Sequence, residues 1–185
     1  MRVGQIGADT EFFTSEAATV FYNPTFGAPA ILANDLPSGG PTYPLATPAA
    51  RLLLKPIRDV TLRVAVFNGD PAGPYRPGIN SPNPQIRDFS GTNFRLGDPP
   101  LLVTELAIDP YRDASPAALP GTVKVGYIHH FGTFAATNTP SLPAVRYKGD
   151  DTFYAMGRSQ NLPRAWRRTT ERVHFPPRIR RPQRS

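Results

Sequence analysis

Prolines recur along the whole chain, 23 of them in 185 residues, with 15 glycines among them. Each proline in a helix interior removes a hydrogen bond and costs about 3 kcal/mol. Long helices and helical bundles are excluded on that ground. The combined Pro and Gly content still lies below that of unstructured low-complexity sequence. Short strands between turns remain, and the chain is long enough for one domain with a packed core. There is no cysteine, which excludes disulfide staples and cysteine-ligated zinc.

Period-2 alternation fills the spaces between the Pro/Gly clusters. Ala50–Ile57 and Val60–Asn68 form a tight hairpin around the polar pair Arg58-Asp59. In the second run Leu62, Val64 and Val66 fall on one face, Thr61 and Arg63 on the other. Further strands are expected at Arg2–Gly7, Ala17–Tyr22, Asn93–Leu96, Leu101–Ile108, Gly121–Phe131 and Tyr147–Met156. That makes about seven strands and no helix, an all-β antiparallel meander. Asp150-Asp151 after Gly149 reads as a turn. Between the second and third of the Val/Leu-rich runs, Gly69–Gly91 holds five prolines and no periodicity. A loop of that length is foreign to a compact soluble domain. It is ordinary in a membrane barrel, whose turns are short at one end and long at the other. No run approaches the roughly 18 apolar residues of a transmembrane helix, and barrel strands need none. The single charges Arg63, Glu105 and Lys124 sit mid-strand in otherwise apolar runs, where an aqueous lumen would hydrate them.

The net charge of +7 suggests a polyanion partner, but its distribution points elsewhere. Residues 158–185 carry nine Arg and one acid, a net +8, whereas residues 1–157 carry twelve basic and thirteen acidic side chains, a net −1. The chain therefore divides into a strand-rich body, 1–157, and an Arg/Pro-rich tail, 158–185, expected to stay outside the sheet. The abrupt change of composition is also what an out-of-frame tail looks like. The opening Met1-Arg-Val-Gly-Gln-Ile-Gly-Ala-Asp9 has no apolar core of a secretory signal. The expectation is a cytoplasmic chain or a piece of something longer.

Four blocks carry a resemblance. Phe26-Gly-Ala-Pro-Ala-Ile-Leu-Ala-Asn-Asp-Leu-Pro-Ser-Gly-Gly-Pro41, continuing from Tyr43 to Pro48, comes first. Ala65-Val-Phe-Asn-Gly-Asp-Pro-Ala-Gly-Pro74 follows, then Gly91–Leu101 with Glu105, then Leu119–Gly126. In this order they resemble the carbohydrate-selective outer-membrane porins of OprB type. Arg146–Gly149 and Phe153–Ala155 are similar to a later block more loosely, and the likeness spans residues 1 to about 156. The resemblance implies a partial transmembrane β-barrel of the sugar-porin type, which has about 16 strands when complete. It implies passive diffusion of carbohydrates such as glucose, with mono- or small oligosaccharides and outer-membrane lipid as partners. The family pattern breaks into the basic tail, so the chain reads as an internal to C-terminal fragment, expected to conduct no sugar by itself.

Sugar passage asks the wall for donors and acceptors that replace water around each hydroxyl. By strand parity Arg51, Lys55, Arg63, Glu105 and Lys124 project inward, and Arg95 of the Asn93–Leu96 block joins them as pore-lining candidates. No enzyme is expected: His129 and His130 are adjacent on a strand and point to opposite faces, and no phosphate-cradling or nucleophile-elbow motif occurs. No cofactor or metal is implied, and no nucleic acid partner is expected. Two rival readings stand beside the porin. One is a soluble all-β module binding a carbohydrate or protein through its Pro-rich loops. The other is a nucleic-acid binder using the Arg tail.

Overall fold

The computed structural model describes residues 1–15, 30–109, 121–135 and 146–159. The expected run Ala17–Tyr22, the first residues of the Phe26 block, and the tail beyond Ser159 lie outside the described residues. Six strands form one antiparallel sheet in sequence order: β1 (Arg2–Ile6), β2 (Thr47–Ile57), β3 (Val60–Asn68), β4 (Pro100–Ile108), β5 (Gly121–Ala135) and β6 (Arg146–Ser159). β6 runs two residues past the boundary drawn from composition, with Arg158 opposite Thr122 and Ser159 opposite Gly121. The hairpin pairs Leu52 with Val64 and Leu54 with Leu62 around the two-residue turn. Its register breaks between Leu54 and Ile57, where Pro56 has no N–H to give the ladder.

Three sequence expectations are corrected. Asn93–Leu96 is not a strand but part of the loop between β3 and β4. Its polar groups are satisfied locally: the Asn93 amide donates to Asp88, and Arg95 folds back on Asp98. Short helices do occur: α1 (Ala8–Glu11), α2 (Ala30–Asp35), a 3-10 turn at Pro37–Gly39, and α3 (Pro84–Arg87). In α3 Pro84 starts the turn and the Asn83 side chain accepts from the Gln85 amide, the proline-and-cap arrangement of a helix start. Asp150 and Asp151 lie within β6, opposite His130 and His129. The turn-like signal there comes from a bulge. The β5–β6 register shifts between His130 and Thr133, and Gly149 takes φ of 82°. A side chain at Gly149 would also meet the His129 ring.

The two faces of the sheet are both apolar, in different ways. On the inner face Ala65, Phe67, Leu101, Val103 and Ile128 are buried. Residues from the β1–β2 connection cover them: Ala8, Phe12, Phe13, Leu32 and Leu36 complete the core with Ile6. Phe12 packs edge-on to Phe67, and Phe13 edge-on to Tyr154. On the outer face the cross-strand row Leu54–Leu62–Leu106–Val125 lies beside the row Leu52–Val64–Thr104–Tyr127–Phe153. Leu54 and Val125 are 45% and 46% exposed, and Phe153 is 77% exposed. Thr104, the polar member of that row, turns its hydroxyl to the Tyr127 carbonyl. A soluble sandwich would present polar groups here. An apolar face this broad needs an apolar phase against it. Arg63 and Val64 stand on opposite faces, as alternation requires.

Charge placed on the outer face is expected to be costly. Val64→Arg should destabilise the membrane-inserted sheet by roughly 2–4 kcal/mol if the site lies near mid-membrane, read as a lower denaturant midpoint after refolding in lipid vesicles. Arginine tolerated there without change would show that this face does not meet lipid. Gly126 supplies a second check. A Cβ added to it would sit 2.1 Å from the Tyr154 ring, so Gly126→Ala should cost about 1–3 kcal/mol by overpacking, measured by the same unfolding assay.

Candidate functional site

The inner face carries one polar row across its middle. Register places Arg63 of β3 beside Glu105 of β4, Glu105 beside Gly126 of β5, and Gly126 beside Tyr154 of β6. Gly126 has no side chain, so the Tyr154 ring lies across it and its hydroxyl donates to Glu105 Oε2 at 2.9 Å. Arg63 Nη1 donates to Glu105 Oε1 at 2.6 Å. Lys124 Nζ stands 3.6 Å from the same oxygen. The Phe13 amide donates to Oε2 at 3.2 Å. Glu105 thus gathers two cations, a phenol and a backbone N–H, and none of its own surface reaches solvent. A carboxylate taken fully out of water needs such company, because burying it alone costs several kcal/mol. The group as a whole keeps a net positive charge.

Arg51 lies one rung towards the long loops. Its Nη2 pairs with Glu11 Oε2 at 2.7 Å, and Arg2 pairs with the same carboxylate. Its buried Nε has no hydrogen-bond partner. Lys55 is exposed near the short-turn end. Arg95 belongs to a separate assembly at the long-loop end. There Arg95 Nε and Nη2 fork onto Asp98 at 2.8 and 2.7 Å, and Asn68 Nδ2 donates to Asp98 at 2.9 Å. Arg87 ties the two described long connections together, donating to Ser38 Oγ at 2.7 Å and to the Gly73 carbonyl at 3.2 Å. Ser38 in turn donates to Asp70.

Of the five candidates read from parity and Arg95 beside them, the structure brings Arg63, Glu105 and Lys124 into one cluster and sets Arg51 on the neighbouring rung. Lys55 and Arg95 stand at opposite ends of the sheet. Glu105 does face inward, but beneath Phe13, so it is closed to solvent while Arg63 and Lys124 stay partly open. Glu11, Phe13, Thr14 and Tyr154 escaped the sequence reading. Tyr154 had a signal, since it shares an inner-face row with Gly126 by strand pairing. Glu11 and Phe13 had none, because they lie in a loop with no period. His129 and His130 take opposite faces. His130 is buried against the Gly69 carbonyl, and His129 lies on the outer face beside Asp151.

The sequence matches the carbohydrate-selective porin family, OprB, over residues 1–161. The chain belongs to that family. Its members are transport channels of the outer membrane and not enzymes. The outward apolar face is the surface such a barrel wall turns to lipid. Among curated proteins and solved structures nothing matches the chain.

The Arg95–Asp98 tie in this porin chain makes its long-loop end sensitive to acid. The hydrogen bonds from Arg95, with Asn68 adding to them, hold the Asp98 carboxyl below the usual carboxylate range. A depressed value stabilises the fold above the ordinary aspartate value and the benefit disappears as pH falls through the folded one. The tie is therefore expected to hold at neutral pH and to open only in acid stronger than that which protonates an ordinary aspartate. Side-chain NMR of Asp98 and Asn68 through an acid titration checks this, and Asp98→Asn should abolish the transition.

Proposed function

We propose that this chain forms part of the wall of a pore for passive diffusion of monosaccharides and small oligosaccharides, glucose among them. The supporting observation is the uneven exposure of the inner polar row. Arg63 keeps 23% of its side chain open and Lys124 14%, while the Glu105 between them keeps none. The buried carboxylate holds the two cations in place; Arg63 gives it one hydrogen bond from Nη1, and Lys124 also donates to the Thr14 carbonyl. Arginine presents its donors in a rigid fork, and lysine three rotatable ones. Sugar hydroxyls can exchange water for such donors without being held tightly, as passage demands. Arg51 extends the row towards the long loops, Lys55 extends it towards the short turns, and Arg95 stands at the loop-side mouth.

Conduction belongs to a closed barrel. In the described residues β1 and β6 are the edges of an open sheet, and unpaired edges in hydrocarbon cost several kcal/mol for each N–H or C=O. We read the chain as a fragment of the barrel wall, needing further strands on both edges. Refolded alone and added to planar bilayers or to glucose-swelling liposomes, it is expected to give no stable sugar-conducting steps. Steady steps with sugar flux would mean that several copies close a barrel together. The sugar path itself is tested by titrating glucose into the micelle-refolded chain and following side-chain resonances. Perturbation should fall on Arg63 and Lys124, not on Leu52 or Val64, and should weaken several-fold in Arg63→Ala. A glucose response confined to the outer face, or none at all, would overturn the reading.

A further inference from the structure

The charged inner row also grips a piece of chain. Residues 8–15, after β1, run over the inner face as a strap, and three wall side chains hold it at successive points. Arg51 takes the Glu11 carboxylate at 2.7 Å. Glu105 accepts the Phe13 amide at 3.2 Å. Lys124 Nζ donates to the Thr14 carbonyl at 2.6 Å. Two of these contacts are to backbone, so they fix where the strap runs whatever side chains it carries. Phe12 and Phe13 lie beneath it, 0% and 1% exposed, and shut solvent away from the Glu105 carboxylate. The carboxylate and the strap thus need each other. Without the strap Glu105 would lose an amide donor and its apolar cover, and without Glu105 the Phe13 amide would be buried with nothing to accept it.

We infer that Glu105 and Lys124 are positioning residues that latch the strap 8–15 onto the inner face, and that the strap seals Glu105, so that a solute at this height meets the strap together with the open parts of Arg63 and Lys124. The inference rests on the reading of the inner face as the solute path. The latch itself can be tested without any sugar. Two of the candidates that parity assigns to the pore wall then act through the strap, and the aperture is set by how firmly it is held.

The test is amide hydrogen exchange, residue by residue, on the full chain refolded in detergent micelles. In the unmodified chain the Phe13 amide should be protected although it belongs to no strand or helix. Glu105→Ala should speed its exchange by at least about tenfold. The paired strand amides of Val103 and Ile128 should stay within about twofold. Glu105→Gln, which keeps an oxygen acceptor, should give a smaller release, a graded rescue that general loosening would not produce. Lys124→Met should release the strap while leaving the Val103 and Ile128 amides protected. An unprotected Phe13 amide in the unmodified chain overturns the latch. So does exchange at Phe13 that is indifferent to Glu105→Ala and Lys124→Met while the sheet stays protected. Should Glu105→Ala unfold the sheet as well, Glu105→Gln and Lys124→Met decide. Sheet and strap released together in both would make these residues general core supports and sink the proposal. A sugar titration that fails while Phe13 behaves as expected would strike the solute-path reading and leave the latch standing.

Discussion

A carboxylate with no access to water has to be surrounded by donors, and Glu105 shows how much of a fold one such demand can organise. Its four partners come from four separate places: β3, β5, β6 and the strap after β1. Satisfying it joins elements up to about 140 residues apart in the chain through one side chain. Replacing the ion pair with apolar groups of similar shape need not cost stability, whereas removing one partner alone leaves a buried charge uncompensated. In a sheet whose inner face is otherwise packed with Phe, Val, Leu and Ala, this node fixes which strand rung lies under which piece of loop.

The second constraint is that both faces of the sheet are apolar. A face that packs a core and a face that meets bulk water differ in polarity. Here the inner face packs a core built from the β1–β2 connection, and the outer face keeps exposed Leu, Val and Phe side chains in cross-strand rows. Only a partner phase as apolar as lipid removes the hydration cost of those rows. The same alternation therefore serves two purposes. It turns one set of side chains to hydrocarbon and frees the other to carry both the core and the charged row.

The strands and their parity were legible in the residues because period 2 is imposed by backbone geometry. Leu52, Leu54, Val64 and Val66 outward, with Arg51 and Arg63 inward, follow from it directly. Short-range chemistry was harder to read where two signals compete. Asn93–Leu96 alternates like a strand but bonds to itself through Asp88 and Asp98. Asp150-Asp151 looks like a turn but sits in a bulged strand, since Gly149 absorbs the irregular backbone. The strap was illegible altogether. Glu11, Phe13 and Thr14 have no period and no motif, and their contacts lie with strands far along the chain.

What the sequence by itself determined is the class of structure and its family. Prolines and glycines forbade long helices, alternation dictated an antiparallel meander with two unlike faces, and four ordered blocks carried the porin likeness. These are local properties, set by backbone sterics and by side-chain order along one strand. Which inward charges stay open and which are buried was decided only by the tertiary structure. Parity gives Arg63, Glu105 and Lys124 the same inner face, yet Glu105 alone is sealed, because a loop from the other side of β2 folds over it. Burial depends on what distant chain arrives above a residue, and no pattern within β4 records that Phe13 will.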